Sequence, residues 1–212
     1  LNSSKLYQAP FNENLFYRIE KEDYKNIFIH ISLDLSGSMR GGKLTQTIQT
    51  AVAIAYAACN IKGFDVEISL RGTVDANKNR SVNQTPILAY AFNSKKDSVK
   101  KLQRFKKLIT CGMTPEGICL DQIRKDLPTP SYYQEVYLVN ISDGLPNISS
   151  ATYNFSTAIN HTAKVVKEYK KDNIGLLSYF IHDTWDKTQK AEGTFKTMYG
   201  KSAKYIDINN MS

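Results

Sequence analysis

Five residues of this 212-residue chain carry side-chain oxygens at a spacing that could bind a metal ion. Asp34, Ser36 and Ser38 form the pattern Asp-x-Ser-x-Ser, and Thr114 and Asp143 follow further along the chain. In an extended or turning loop, residues spaced by two can point to the same side. Carboxylates and hydroxyls make an oxygen-only ligand set, which suits a hard divalent cation such as Mg²⁺ at octahedral geometry. The two carboxylates would nearly balance the charge of the metal, and the neutral hydroxyls would leave it able to take one more oxygen from outside.

Alternating strands and helices are predicted to position these residues. A β-rich, almost continuously apolar run at 27–35 is typical of a buried central strand, and it ends in a small-residue loop at 36–42. Apolar residues then recur at helical spacing from Leu44 to Cys59, with Gly63 as a stop signal. A capping box formed by Ser94 and Asp97 predicts that another helix begins there. The remaining pattern predicts strands at 65–73, 86–92, 135–141, 174–181 and 204–208, and helices at 94–108, 114–127, 154–171 and 187–198.

This order of elements predicts an α/β three-layer sandwich with a mostly parallel sheet. The strands at 65–73 and 86–92 are separated only by a polar loop, which indicates a hairpin within the otherwise alternating pattern. In open α/β sheets, ligands bind at the carboxyl ends of the strands. Asp34 and Asp143 come at the ends of two predicted strands, and Thr114 opens a predicted helix. The sequence therefore predicts a Mg²⁺ or Mn²⁺ site at this edge of the sheet.

The segment Asp34-Leu-Ser-Gly-Ser38, together with Thr114 and Asp143, resembles the metal-ion-dependent adhesion site of von Willebrand factor type A domains. The resemblance covers residues from about 26 to 208, and all five positions of the family pattern are filled. It implies a Rossmann-like sandwich with one antiparallel edge strand. It also implies that Ser36, Ser38 and Thr114 coordinate the metal directly, while Asp34 and Asp143 hold it largely through water, and that a partner's Glu or Asp completes the octahedron.

The same resemblance implies a protein-binding module and not an enzyme, with no catalytic residues. The surface around the metal would then contact a partner through residues that flank the ligands, namely Gly37, Met39, Arg40, Pro115, Glu116 and Gly144.

Three segments, at 141–146, 174–181 and 199–207, look most like the C-terminal domain of cobaltochelatase CobT-type proteins of bacteria and large tailed phages. That resemblance implies a MoxR-like AAA+ ATPase as a partner and leaves open a role as a non-catalytic subunit of a chelatase-like complex. The acidic middle region of the bacterial protein is absent from this sequence.

Two other functions compete with this interpretation. The stretch from Gly37 to Lys43 fits the Gly-x4-Gly-Lys of a phosphate-binding P-loop, but Leu44 stands where a P-loop has Ser or Thr. The segment 95–107 could bind nucleic acid or an acidic protein face, because it contains seven cationic residues: Lys95, Lys96, Lys100, Lys101, Arg104, Lys106 and Lys107. A charge run is more often a solvated helix face, so nucleic-acid binding is the less favoured alternative.

Composition sets the outer limits of function. The net charge is +8, 42% of residues are hydrophobic and 23% are charged, values typical of a globular protein and not of a disordered chain. The apolar runs are too short to span a bilayer, nothing resembles a signal peptide, and three cysteines cannot build a disulfide framework. We therefore expect a cytoplasmic protein, in the bacterial host if it is phage-encoded, with an N-terminal arm or linker at 1–25 and one domain at 26–212.

Overall fold

Strands and helices alternate along almost the whole of the part that the computed structural model describes, which is residues 25–75, 84–128, 132–148, 153–182 and 188–207. The strands in these ranges are β1 (Ile27–Asp34), β2 (Phe64–Asp75), β3 (Gln84–Asn93), β4 (Glu135–Ser142), β5 (Gly175–His182) and β6 (Ala203–Asp207). The α-helices are α1 (Gly42–Cys59), α2 (Glu116–Asp126), α3 (Phe155–Lys171) and α4 (Thr188–Tyr199). A nine-residue 3₁₀ helix spans Val99–Lys107.

The strands form one sheet in the order β3-β2-β1-β4-β5-β6. All neighbouring pairs are parallel except β2 and β3, which form the predicted antiparallel hairpin at the edge. The chain moves from β1 to β2 on one side and reaches β4 on the other, so the strand order reverses between β1 and β4. Ligands bind outside the carboxyl ends of strands at such a switch point. The predicted fold class is confirmed, and the sheet brings the ends of β1 and β4 side by side.

Each face of the sheet is covered by its own apolar layer. On one face, Ile31 and Leu33 of β1 pack in a cluster with Ile48 of α1 and with Leu102 and Phe105 of the 3₁₀ helix. On the other face, the apolar residues of α2, α3 and α4 pack on β4 and β5, with Leu120, Tyr169 and Phe195 fully buried. Successive side chains of a strand point to opposite faces, so the even-numbered β1 residues Ser32 and Asp34 face away from the α1 layer.

The segment that follows β3 differs from its prediction. Ser94 does not cap a helix, because its hydroxyl accepts a hydrogen bond from the Val66 backbone N–H at 3.0 Å and so ties the chain to β2. Ser98 is the N-cap instead, and the helix that follows is 3₁₀ rather than α. The sequence contains the signal for this: Val99, Leu102, Phe105 and Leu108 recur every three residues, the period of a 3₁₀ helix.

Two further predictions concern the ends of the chain and the bilayer. Almost all of the predicted N-terminal arm at 1–25 lies outside the described residues, and the predicted domain that starts at residue 26 has its first strand at Ile27. Among the helices of the described part, none is both long and apolar enough to cross a membrane.

Candidate metal centre

Asp34 is the innermost residue of the candidate site. It is the last residue of β1, and it is fully buried. Its Oδ1 accepts a hydrogen bond from the backbone N–H of Ser36 at 2.8 Å, and its Oδ2 accepts one from the hydroxyl of Ser142 at 2.7 Å. The first contact bends the loop that follows β1 around the carboxylate, and the second joins the ends of β1 and β4. Both carboxylate oxygens are thus fixed in position.

The two serines of the loop connect Asp34 to the end of β4. The hydroxyls of Ser36 and Ser38 lie 3.0 Å apart, and the Ser38 hydroxyl donates a hydrogen bond to Oδ1 of Asp143 at 2.7 Å. Ser36 is buried, whereas Ser38 is exposed. A chain of oxygen atoms therefore runs from the loop after β1 to the loop after β4.

Thr114 reaches the same place from the loop before α2. An antiparallel bridge fixes its backbone to Asn147, with N–H to carbonyl distances of 3.1 and 3.0 Å. Its hydroxyl lies beside Gly144, because a Cβ placed on Gly144 would be 3.2 Å from Thr114 Oγ1 and 3.7 Å from Ser38 Oγ. The hydroxyls of Thr114 and Ser38 therefore face the same glycine.

The loop that carries Thr114 is also attached to the loop after β1. The N–H of Gly37 donates to the carbonyl of Gly112 at 3.0 Å. Gly112 has a φ of +61°, and an added Cβ would lie 2.1 Å from the hydroxyl oxygen of Thr73. Only glycine accommodates both this backbone conformation and this close approach to β2.

Four of the five predicted ligands, Ser36, Ser38, Thr114 and Asp143, line a solvent-open cleft of about 350 Å³, and Asp34 lies beneath it. All of their donor atoms are oxygens. Within the described residues no three His, Cys, Asp or Glu side chains cluster as a metal-binding group, and the candidate set contains only two such side chains, Asp34 and Asp143. The residues present therefore fit a hard cation such as Mg²⁺ and do not fit the nitrogen and sulfur ligation typical of zinc.

Burial and the neighbouring groups act on the pKa of Asp143 in opposite directions. Its side chain is 1% exposed, and burial raises the pKa of its carboxyl, while Lys43 and the Ser38 hydroxyl oppose that rise. The Lys43 ammonium lies 2.5 Å from Asp143 Oδ2. In the alternative P-loop interpretation Lys43 would bind a phosphate, but in the structure its ammonium pairs with a carboxylate.

A second buried charge network lies below the cleft. Arg71 of β2 is opposite Asp34 in the sheet register, and its Nη2 donates to Oε1 of Glu116 at 3.2 Å. Both side chains are fully buried. Burial alone would lower the pKa of Arg71, but the carboxylates of Asp34 and Glu116 outweigh it and raise that pKa. Burial raises the pKa of Glu116, and the Arg71 charge opposes this. The network ties the segment after Thr114 to the centre of the sheet.

The structure separates the six residues expected to contact a partner into two groups. Gly37 and Arg40 are exposed and Gly144 is partly exposed. Met39, Pro115 and Glu116 are buried, so they form no part of the exposed surface around the cleft. Met39 packs in the apolar layer of α1, and Glu116 pairs with Arg71.

Sequence reasoning missed Arg71, Ser142 and the true partner of Lys43. An arginine within the apolar strand Leu70-Arg-Gly was a signal for a buried counter-charge to a carboxylate on the neighbouring strand. Ser142 directly precedes Asp143, but only the register of β4 against β1 shows that it reaches Asp34.

Known proteins resemble this chain in fold, but none of the families or curated proteins compared resembles it in sequence. No family model matches the sequence, and no curated protein matches it. The manganese-loaded TRAP protein of Plasmodium vivax matches with a TM-score of 0.58 at 16% identity, over 88% of this chain and 70% of that chain. The vWF domain of Mfa5, a type V pili tip protein of Porphyromonas gingivalis, matches with a TM-score of 0.59 at 12% identity, over 88% and 91%.

A von Willebrand factor type A protein from Catenulispora acidiphila matches with a TM-score of 0.50 at 15% identity, over 86% of this chain and 38% of that chain. Identities this low show similarity of fold alone. The chain therefore has the von Willebrand factor type A fold, as the resemblance of its sequence motifs predicted.

Proposed function

We propose that the protein is a divalent-metal-dependent protein-binding module, which uses Mg²⁺ or Mn²⁺ to recognise an acidic side chain on a partner. One observation carries this proposal: Ser36, Ser38, Thr114 and Asp143, from three separate loops, line one solvent-open cleft above the buried Asp34. An internal structural role for these groups would not require the cleft to be open.

The residues of the chain have distinct tasks in this function. Ser36, Ser38 and Thr114 present neutral hydroxyl oxygens to the cleft, and Asp34 and Asp143 supply the negative charge behind them. The hydrogen bonds to Asp34 fix the loop so that its hydroxyls are held in place before any ligand arrives. A bound Mg²⁺ would supply an electrophilic position for an outside carboxylate oxygen.

The structural neighbours support the two parts of this proposal separately. The TRAP protein that matches this fold is manganese-loaded, which supports a divalent cation. Mfa5 is a type V pili tip protein, a position that suits contact with other molecules, and this supports the binding role. The more specific partner, a MoxR-like AAA+ ATPase that uses this contact to pull on or reposition a target, is supported by the resemblance to CobT-type proteins alone.

The geometry favours this function over nucleotide binding. A P-loop lysine must reach a phosphate, whereas Lys43 bonds the carboxylate of Asp143, and the residue after it is the buried Leu44. ATP binding that is lost in Lys43→Ala but kept in Asp34→Ala would reverse this ranking.

The exposed cationic side chains of the 3₁₀ helix are the feature that supports the alternative function, nucleic-acid binding. Its side chains Lys100, Arg104, Lys106 and Lys107 are exposed, while Leu102 and Phe105 anchor its other side in the core. If this helix binds nucleic acid, the logarithm of the binding constant measured by filter binding should fall linearly with the logarithm of the salt concentration.

A capture experiment tests the proposed function directly. The immobilised protein is exposed to extract of its source cells in Mg²⁺ or in EDTA, beside Thr114→Ala and the control Asp126→Asn, an exposed aspartate outside the cleft. We expect one protein to be retained in Mg²⁺ by the wild type and the control, released by EDTA and not retained by Thr114→Ala. Substitution of the acidic residue of that protein should then abolish binding. Capture that ignores both EDTA and Thr114 would contradict the proposal.

A further inference from the structure

Lys43 occupies a position that its own helix does not favour. It is the second residue of α1, and the first turn of a helix prefers acidic side chains because the N-terminus carries partial positive charge. The first turn of α1 contains no acidic residue. A local preference that is broken in this way often marks a functional residue. A group outside the helix offsets the unfavourable interaction of the Lys43 charge with the helix N-terminus.

That group is the carboxylate of Asp143. The two charged atoms lie 2.5 Å apart, and the side chains are 13% and 1% exposed. An unpaired carboxylate at this burial is costly, and a paired one much less so. The Ser38 hydroxyl bonds the other carboxylate oxygen, so Asp143 is oriented toward the cleft and Lys43 at once.

We propose that Lys43 is a built-in counter-cation of Asp143, which keeps the site assembled without metal and weakens its affinity for divalent cations. The inference rests on the proposed metal site and adds a residue that determines its affinity. A divalent cation that draws on the Asp143 carboxylate meets the positive charge of Lys43 nearby, and like charges at short range repel strongly where water is partly excluded. Binding of a divalent cation therefore competes with an ion pair that already balances the charge of the Asp143 carboxylate.

Calorimetric titration with MgCl₂ tests this role, beside thermal unfolding in EDTA. Lys43→Met removes the charge and retains the length of the side chain, and Lys43→Arg retains the charge. Lys62→Met, at an exposed lysine between α1 and β2, is the matched control. We expect Lys43→Met to bind Mg²⁺ about tenfold tighter or more, and to unfold at a lower temperature than the wild type in EDTA. Lys43→Arg and Lys62→Met should resemble the wild type in both measurements.

A second background shows whether the effect passes through Asp143. In Asp143→Asn, the further change Lys43→Met should no longer lower the unfolding temperature in EDTA, because the carboxylate that needs the counter-cation is gone. An unchanged effect in this background would overturn the inference.

The outcomes separate this inference from the proposed function. If the wild type binds Mg²⁺ and Lys43→Met binds it equally or more weakly, the role of Lys43 is wrong and the metal site stands. If no variant binds Mg²⁺ at millimolar concentration, the proposed function and the effect of Lys43 on affinity both fail. The unfolding measurement in EDTA then still decides whether Lys43 stabilises Asp143.

Discussion

Replacement of Arg71 by methionine should destabilise the protein strongly, because it leaves two carboxylates without their buried cation. Arg71 is fully buried, and its guanidinium donates to the Ser32 hydroxyl at 2.8 Å, to Glu116 Oε1 at 3.2 Å and to the Ile141 carbonyl at 3.3 Å. Asp34 lies opposite it in the sheet register. Methionine fills much of the same volume but supplies no charge and no donor.

The expected loss follows from the burial of both partners. Removal of one member of a buried ion pair costs about 3–5 kcal/mol. For a domain of this size, each kcal/mol lowers the unfolding temperature by about 2–4 °C. Arg71→Met should therefore lower the free energy of unfolding by about 3–5 kcal/mol and the unfolding temperature by about 6–20 °C.

Companion variants identify the cause of the loss. Glu116→Gln should cost less than Arg71→Met, because Arg71 still faces Asp34 and the new amide can still accept a hydrogen bond from Asn140. The double variant Arg71→Met, Glu116→Gln should recover part of the loss of Arg71→Met. Lys171→Met, which breaks a surface pair with Glu168, is the control and should stay within about 0.5 kcal/mol.

Urea unfolding followed by circular dichroism measures all four variants and the wild type. A loss below about 1 kcal/mol in Arg71→Met would refute the reasoning, since that is the range of an exposed pair. A cost of Glu116→Gln equal to that of Arg71→Met would refute the assignment of Asp34 as a second counter-charge.

Two further predictions follow from burial and from backbone geometry. Burial raises the pKa of the Cys119 thiol to about 11, so only about 0.1% of it is thiolate at pH 8 and alkylation should accelerate as pH rises toward 11. Mass spectrometry should find Cys119 modified far more slowly than the less buried Cys59, and equal rates would contradict this. Gly112→Ala should destabilise the protein by more than about 2 kcal/mol, because φ is +61° and the new methyl meets Thr73. Gly193→Ala, in open space on a helix, should be neutral or stabilising by up to about 1 kcal/mol in the same unfolding assay, and equal losses would contradict the geometry.

The sequence predicted the layers of the fold because hydrophobic periodicity determines them. The apolar run of β1 and the helical spacing in α1 each reflect burial on one sheet face, and the observed bounds differ from the predicted ones by a few residues. The start of the 3₁₀ helix was wrong for a tertiary reason. Ser94 is a residue type that can cap a helix, but its hydroxyl accepts a hydrogen bond from a backbone N–H of β2 instead.

The placement of the candidate ligands at one edge of the sheet could be predicted because the carboxyl ends of parallel strands meet there. What the sequence could not predict are the charges that surround them. The pairing of Arg71 with Glu116 depends on the register of β2 against β1, and the pairing of Lys43 with Asp143 depends on where α1 begins. Such contacts are set by packing of distant segments and leave only weak signals in local sequence.

Calorimetric titration of the wild type and Asp34→Ala with MgCl₂ tests the central claim most directly, with Asp126→Asn as the control and circular dichroism to verify folding. The account predicts that the wild type and Asp126→Asn bind one Mg²⁺ per chain and that folded Asp34→Ala binds none. Mg²⁺ binding that persists unchanged in Asp34→Ala, or a wild type that binds no Mg²⁺ or Mn²⁺ at millimolar concentration, would contradict it.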